Sequence, residues 1–327
     1  MNAERLRDRL PVTITALVAL ILYVAAGLHF PHFFSMRVAV NFFTDNSFLG
    51  IIAVGVTFVI LTGGIDLSVG SMMGCTSIMA ASLITKQHLH PMLGLLIPVA
   101  FGLGFGAIQG YLISEFSLPP FLVTLAGLFF CRGLGLWISR ESIQIDHPFF
   151  SSLAEFAVSL PGKASVMLPT ILFVVVVAIG SFVAKQTPFG RAIYAIGGSP
   201  ASAKLMGLPV KRTLLIAYAL SGACAGLGGA VFTIYTSSGN AISGTGLELD
   251  AIASVVIGGT LLSGGYGSIF GTLLGVLILG IVQTAITFQG DLSSWWTRIV
   301  IGALLLLFML VQKTIERAAA KRVGASA

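Results

Sequence analysis

Residues 47–84 read SFLGIIAVGVTFVILTGGIDLSVGSMMGCTSIMAASLI, and the only charge among them is that of Asp66. Two apolar runs, 47–62 and 66–84, flank a break at Thr62-Gly63-Gly64-Ile65-Asp66-Leu67-Ser68. A hydrocarbon core takes roughly 20 apolar residues per helix, so each run is a candidate membrane span. Glycines at the break permit unusual backbone angles, and Asp66 or Ser68 can cap the helix that follows.

Outward from this stretch the pattern recurs. Candidate spans lie at 12–30, 47–62, 66–84, 92–113, 119–138, 166–185, 213–236, 248–262, 267–288 and 295–312. The reading is an all-α integral membrane protein with about ten transmembrane helices. The short second and eighth spans are tilted or joined to their neighbours by turns within the membrane. Composition agrees, because 9% charged and 56% hydrophobic residues cannot cover a water-exposed surface, for which about 25% charged is usual. Residues 1–327 are therefore one membrane domain. The first span follows Arg5, Arg7 and Arg9, but its apolar run is long and no small-x-small site follows it. A retained span is expected there rather than a cleaved signal.

Glycine is abundant, 39 residues, and falls inside the apolar stretches. Gly106 and Gly110, Gly222 and Gly226, and Gly267, Gly271 and Gly275 are spaced by four, the pattern of close helix crossings. Within-chain crossings are the simpler expectation.

The net charge of +6 is a membrane signature here rather than a nucleic-acid one, because the basic residues cluster in short loops. With the N-terminus in the cytoplasm, inner segments hold Arg5, Arg7, Arg9, Lys185, Arg191, Lys204, Lys211, Arg212, Lys313, Arg317, Lys321 and Arg322. Outer loops hold only Arg37, Lys86, Arg140 and Lys163. The asymmetry places both termini in the cytoplasm. The five histidines all fall outside with no spacing that suggests a metal site, and Cys75, Cys131 and Cys224 lie in apolar segments. No metal site follows from either set.

Two loops are long. The outer one is 139–165; the inner one, 186–212, contains TPFGRAIYAIGGSPASAKLMGLPVKR. In the inner loop Gly197–Gly198 is a break, Ser199 or Ser202 an N-cap and Gly207 a C-cap. A short helix near 200–206 along the cytoplasmic face is expected. A weak echo links GGIDLSVGSMMG at 63–74 with GGTLLSGGYGSIFG at 258–271.

Few residues offer chemistry. Asn46, Asp66, Ser68 and Asp250 are candidates for a transport pathway by position and polarity, since an ionisable residue at membrane depth is a functional hypothesis by default. For Asp66 the simpler reading is a helix cap. Glu248 and Asp250 suit a helix N-terminus, Arg132 and Arg298 suit snorkelling, and Trp295 and Trp296 suit an interfacial belt. Leu262-Ser263-Gly264-Gly265 matches the start of an ATPase signature, but no G-x-x-x-x-G-K-[ST] loop exists. The chain is not read as an enzyme and is expected to bind no cofactor.

The run Ile52–Gly70 resembles the hallmark of ribose-type sugar ABC importer permeases. Phe189–Gly198 with Ala203 and Met206-Gly207 resembles that family's cytoplasmic loop, and Glu248–Thr260 its third common block. Leu49–Ile52, Glu141–Ile143 with His147-Pro148, and Leu292–Thr297 are similar to a permease of a galactofuranose importer. The resemblance implies a bacterial inner-membrane machine for a monosaccharide, with galactofuranose the expected sugar. Its partners would be a second permease in a heterodimer, a cytoplasmic ATPase that holds ATP and magnesium, and a periplasmic sugar-binding protein. It also implies a coupling helix in the inner loop, with Gly190, Arg191, Ser199, Ala203, Leu205, Met206 and Gly207 as ATPase-coupling residues. The alternative is a secondary sugar transporter coupled to ions through Asp66.

Overall fold

The computed structural model describes residues 3–161, 164–290 and 295–324, and side chains within 12–310. Lys163 and Leu292–Ser294 lie outside the described residues, as do the side chains of the terminal basic clusters. In chain order the helices are α1 (Ala3–His29), α2 (Met36–Asp45), α3 (Ser47–Leu61), α4 (Val69–Thr85), α5 (Pro91–Phe116) and α6 (Pro120–Ile138). A small mixed segment follows: β1 (Ile143–Gln144), α7 (Pro148–Ala154), β2 (Ala157–Leu160) and β3 (Ala164–Met167). Then come α8 (Leu168–Gln186), α9 (Pro188–Gly198), α10 (Pro200–Leu205), α11 (Val210–Thr236) and β4 (Ser238–Gly239). The chain closes with α12 (Leu247–Ile257), α13 (Ile269–Gln289) and α14 (Trp295–Gly324).

This is an all-α integral membrane protein. Among the described residues, six helices are long and apolar enough to cross a membrane, those containing Val12–His29, Pro91–Phe116, Pro120–Ile138, Leu168–Gln186, Val210–Thr236 and Ile269–Gln289. A seventh is made if α2 and α3, bent by 53° at Asn46, count as one span. Helices stand at all ten expected positions, but α3, α4 and α12 have only 15, 17 and 11 residues. At 1.5 Å per residue α12 is about 16 Å long, half a bilayer core. The shortness of the second and eighth spans thus reflects true interruptions.

Helices α3 and α4 are apolar on every side and are buried almost throughout, as expected of helices surrounded by others. α5, α6 and α11 cover one side; α8, α12 and α13 cover the other. The paired glycine faces meet within the chain. Gly102, Gly106 and Gly110 on α5 lie against the backbone of Leu215, Tyr218 and Gly222 on α11, and Gly226 lies against Pro98 and Val99. Gly271 and Gly275 on α13 lie against Gly258 and Ser254 at the end of α12.

The 139–167 segment and the 187–209 arm sit at opposite ends of α8. β1 pairs with β4, Ile143 opposite Gly239, and β2 pairs with β3, Ala157 opposite Met167. The first pairing ties the segment to the end of α11.

Candidate functional site

The first break begins with a glycine-terminated helix end. Gly63, at φ +81°, donates to Ile60 O (2.8 Å), and Gly64 donates to Val59 O (3.1 Å). That reciprocal pattern satisfies Val59 O and Ile60 O and leaves Leu61 O. α12 ends in the same way: Gly259, at φ +90°, donates to Val256 O, and Thr260 donates to Val255 O. The echo is therefore structural, but its register differs by one residue from the sequence match. Gly63 corresponds to Gly259, not Gly258.

The two remaining carbonyls find partners from elsewhere. Ile257 O accepts from Thr15 Oγ1 on α1 (2.8 Å). Leu61 O accepts from Gly265 N of the second break (2.9 Å). The breaks are thus joined, and α9 joins them. A Cβ on Gly197 would overlap Leu61 O and Gly265 N; one on Gly265 would lie 2.6 Å from Gly198 N, and one on Gly264 would lie 2.6 Å from Gly63 N. Three pieces of backbone meet with no side chain between them. Tyr194 Oη adds a bond to Gly267 O (3.0 Å), and burial raises its pKa, so it stays a donor.

Asp66 sits just beyond the first break, buried with Ser68. Its Oδ1 accepts from Ser68 N (2.9 Å) and Ser68 Oγ (2.7 Å), and its Oδ2 from Ser221 Oγ of α11 (2.7 Å). Ser68 Oγ also lies 3.2 Å from Gln109 Oε1. A hydroxyl has one proton to give. Turning the Gln109 amide over lets its nitrogen, otherwise unpartnered, donate to Ser68 Oγ. Ser221 lies about 17 Å along α11 from its start, so this network is deep in the bundle. Ser68 makes no side-chain cap of its own; Asp66 organises the turn into α4.

Asp250 lies apart from both. It pairs with Arg298 of α14 (2.9 Å), and Glu248 accepts from Gly246 N (3.2 Å). Arg132 does not snorkel: its Nη1 donates to the carbonyls of Ala241 and Ser243.

Asn46 occupies the α2–α3 bend and donates from Nδ2 to Phe42 O (2.9 Å). It lines a cavity of ≈ 410 Å³ together with Asn41, Asp45, Tyr235, Gln283, Thr284 and Thr287. Sequence reasoning found Asn46 and missed the rest. The available signal was a polar stripe, Arg37, Asn41 and Asp45, at four-residue intervals on α2, a stretch left out of the span list.

The 187–209 arm matches its sequence signals closely. Gly190 lies against Ala184 and Val183 carbonyls, closing the α8–α9 turn, and Thr187 Oγ1 accepts from Gly190 N (3.1 Å). Ser199 caps α10 by accepting from Ser202 N (3.2 Å). Gly207, at φ +77°, ends it. Gly197 and Gly198 do not interrupt α9; they complete it, and the interruption falls at Ser199. Ala203 is fully buried against Ala192 and Ile196, whereas Leu205 is 90% and Met206 67% exposed. Arg191, on α9, is exposed.

A bundle with broken central helices, a capped arm outside it and a polar cavity in it defines a membrane transport component. The chain belongs to the family described as the permease component of branched-chain amino acid transport systems, matched over residues 38–309. It is 49% identical to the inner membrane ABC transporter permease protein YjfF of Escherichia coli K12, over 94% of this chain and 93% of that one. It is 38% identical to the fructose import permease protein FruG of Bifidobacterium longum, over 94% and 92%. It is 36% identical to the ribose import permease protein RbsC of Haemophilus influenzae, over 90% of each. No solved structure matches the chain.

Proposed function

We propose that this chain is the permease subunit of an ATP-driven sugar importer and that the sugar is a monosaccharide, with galactofuranose the leading candidate. The observation that carries the reading is the arm. α10 presents two exposed apolar side chains, and α9 locks that tip, backbone to backbone, onto both central breaks. A lipid-facing loop has no use for such rigidity; a lever does. The matches to fructose and ribose import permeases support the sugar class.

In this reading the arm end is cytoplasmic, both termini lie on that side, and the protein resides in the bacterial inner membrane. Leu205 and Met206 seat in a partner ATPase, with Ser199, Ala203 and Gly207 shaping the helix, Gly190 fixing its base and Arg191 facing the partner. ATP and magnesium belong to that ATPase, and this chain does no catalysis. A sister permease completes the pathway as a heterodimer, and a periplasmic sugar-binding protein docks on the 139–167 end. Motion of the arm reaches Leu61 and Gly265 together, and from there travels along α3 and α13 to the cavity. Asn46 and its neighbours line the pathway, while Asp66 and Ser68 hold the first break in shape and Asp250 fixes α12 to α14.

The test is uptake of labelled galactofuranose, ribose and fructose in proteoliposomes, with and without the sister permease, ATPase and binding protein. ATP-dependent uptake by the full set alone is expected. Uptake by this chain alone, driven by an ion gradient, would sink the proposal.

A further inference from the structure

The ≈ 410 Å³ cavity shares Asn41, Asp45 and Tyr235 with a second of ≈ 370 Å³ that reaches Arg37 and Ser165. Both open at the end of the bundle that carries the 139–167 segment. The first lies where α2 bends into α3, opposite the last turns of α13. Interrupted membrane helices are where transporters place substrate. The cavity is within the range of small-molecule sites, about 300–1,000 Å³.

Its walls have a definite chemistry. Asn41 and Asp45 are exposed one turn apart on α2, and Gln283, Thr284 and Thr287 share a face of α13. Polar side chains on the exposed faces of apolar helices are costly unless they meet water or a polar solute. Asp45 Oδ1 accepts from Tyr235 Oη (3.0 Å), which fixes the carboxylate and leaves Oδ2 to accept from a ligand. Phe48, 6.2 Å from the Tyr235 ring, and Phe288 supply aromatic surface. None of the described lining residues of this cavity is cationic. An amino acid could give its ammonium to Asp45, but its carboxylate would find no positive partner on these walls. Arg37 lines the adjoining cavity but not this one. A neutral polyol has what the walls ask for: hydroxyls for the carboxylate and amides, and C–H faces for the rings.

We propose that this cavity is a monosaccharide subsite on the outward half of the pathway, with Asp45, held by Tyr235, as its principal hydroxyl acceptor and Asn41, Asn46 and Gln283 as further partners. The proposal rests on the importer reading above. Its test uses the reconstituted transporter with sister permease, ATPase and binding protein, comparing wild type with Asp45→Asn, Tyr235→Phe and Gln283→Ala. Asp45→Asn should raise the half-saturating sugar concentration about tenfold, the effect of losing a charged hydrogen-bond partner, with ATPase activity retained. Tyr235→Phe, which removes one hydroxyl, should raise it severalfold. In a second measurement Thr284→Cys is labelled with a membrane-impermeant thiol reagent. Ribose, fructose or galactofuranose should slow labelling at least threefold, and leucine should not. If wild type takes up no sugar with ATP, the importer reading itself fails. If wild type transports but the variants match it, or if leucine protects the introduced thiol and sugars do not, the subsite is overturned while the importer stands.

Discussion

The two ends of α3 are built from opposite materials. At Asn46 the helix starts among side chains: amides, hydroxyls, a carboxylate and rings around an open cavity. At Leu61 it ends among bare backbone, where Gly63, Gly197, Gly264 and Gly265 exclude everything but one another. The first end has polar groups with space beside them. The second has its carbonyl satisfied by another segment's amide and no space at all. A protein that only needed to bend a helix twice could have used one device for both. In the proposed function the difference separates recognition, which needs groups and room, from transmission, which needs contacts that cannot slip. The 15 residues of α3, all but Phe48 buried, connect the two.

The hardest way to break this division is to remove the lever. Deleting 199–207 should abolish ATP-driven uptake entirely while the protein still inserts, because Ala203 is the one buried residue among them and it packs on Ala192 and Ile196 of α9 rather than on the bundle. Membrane fractionation with uptake on the same preparation checks both halves, and retained uptake would refute the coupling role. Next in size is Gly197→Ala. Its methyl would meet backbone atoms of two other segments, which cannot rotate away. Overpacking of this kind costs about 1–3 kcal/mol. Uptake should fall at least tenfold, and ATP hydrolysis should become insensitive to sugar.

Asp66→Asn probes the side-chain network between the ends. The carboxylate accepts three bonds, and an amide can replace only part of them, so stability should fall by about 1–3 kcal/mol in thermal unfolding. Uptake should fall only in step with the amount of folded protein, and dissipating the proton gradient should change neither variant nor wild type. A specific loss of proton or sodium coupling in Asp66→Asn would instead revive the ion-driven alternative.

Much of this was legible in the sequence, for definable reasons. Helix ends are written locally. Ser199 and Gly207 mark α10 because caps and left-handed glycines act within a turn. The four-spaced glycines marked crossings because small residues are needed wherever backbones touch. Contacts between distant segments were not legible. Nothing near Gly197 says that its missing side chain serves Leu61, far earlier in the chain, so it read as a helix break. Asp250 was picked out by position and polarity alone, and its pairing with Arg298, 48 positions away, was not legible. Asp45 and Gln283 were overlooked because α2 is only ten residues long and α13 reads as an ordinary span, so the cavity exists only once they are side by side.

The smallest effect should come from repeating the glycine substitution at the other end. In Gly280→Ala the new methyl would lie 2.6 Å from Asn46 Nδ2. That atom is the tip of a side chain, not backbone, and the cavity beside it gives the amide somewhere to go. Moving it strains or breaks the bond to Phe42 O, worth about 0.5–1.5 kcal/mol. The half-saturating sugar concentration should therefore rise about twofold to threefold, with coupling of hydrolysis to sugar intact. Gly197→Ala should do the reverse, sparing apparent affinity and destroying coupling. If the two alanines instead gave the same loss of coupling, the ends of α3 would not be specialised, and the cavity end would have to be part of the transmission path as well.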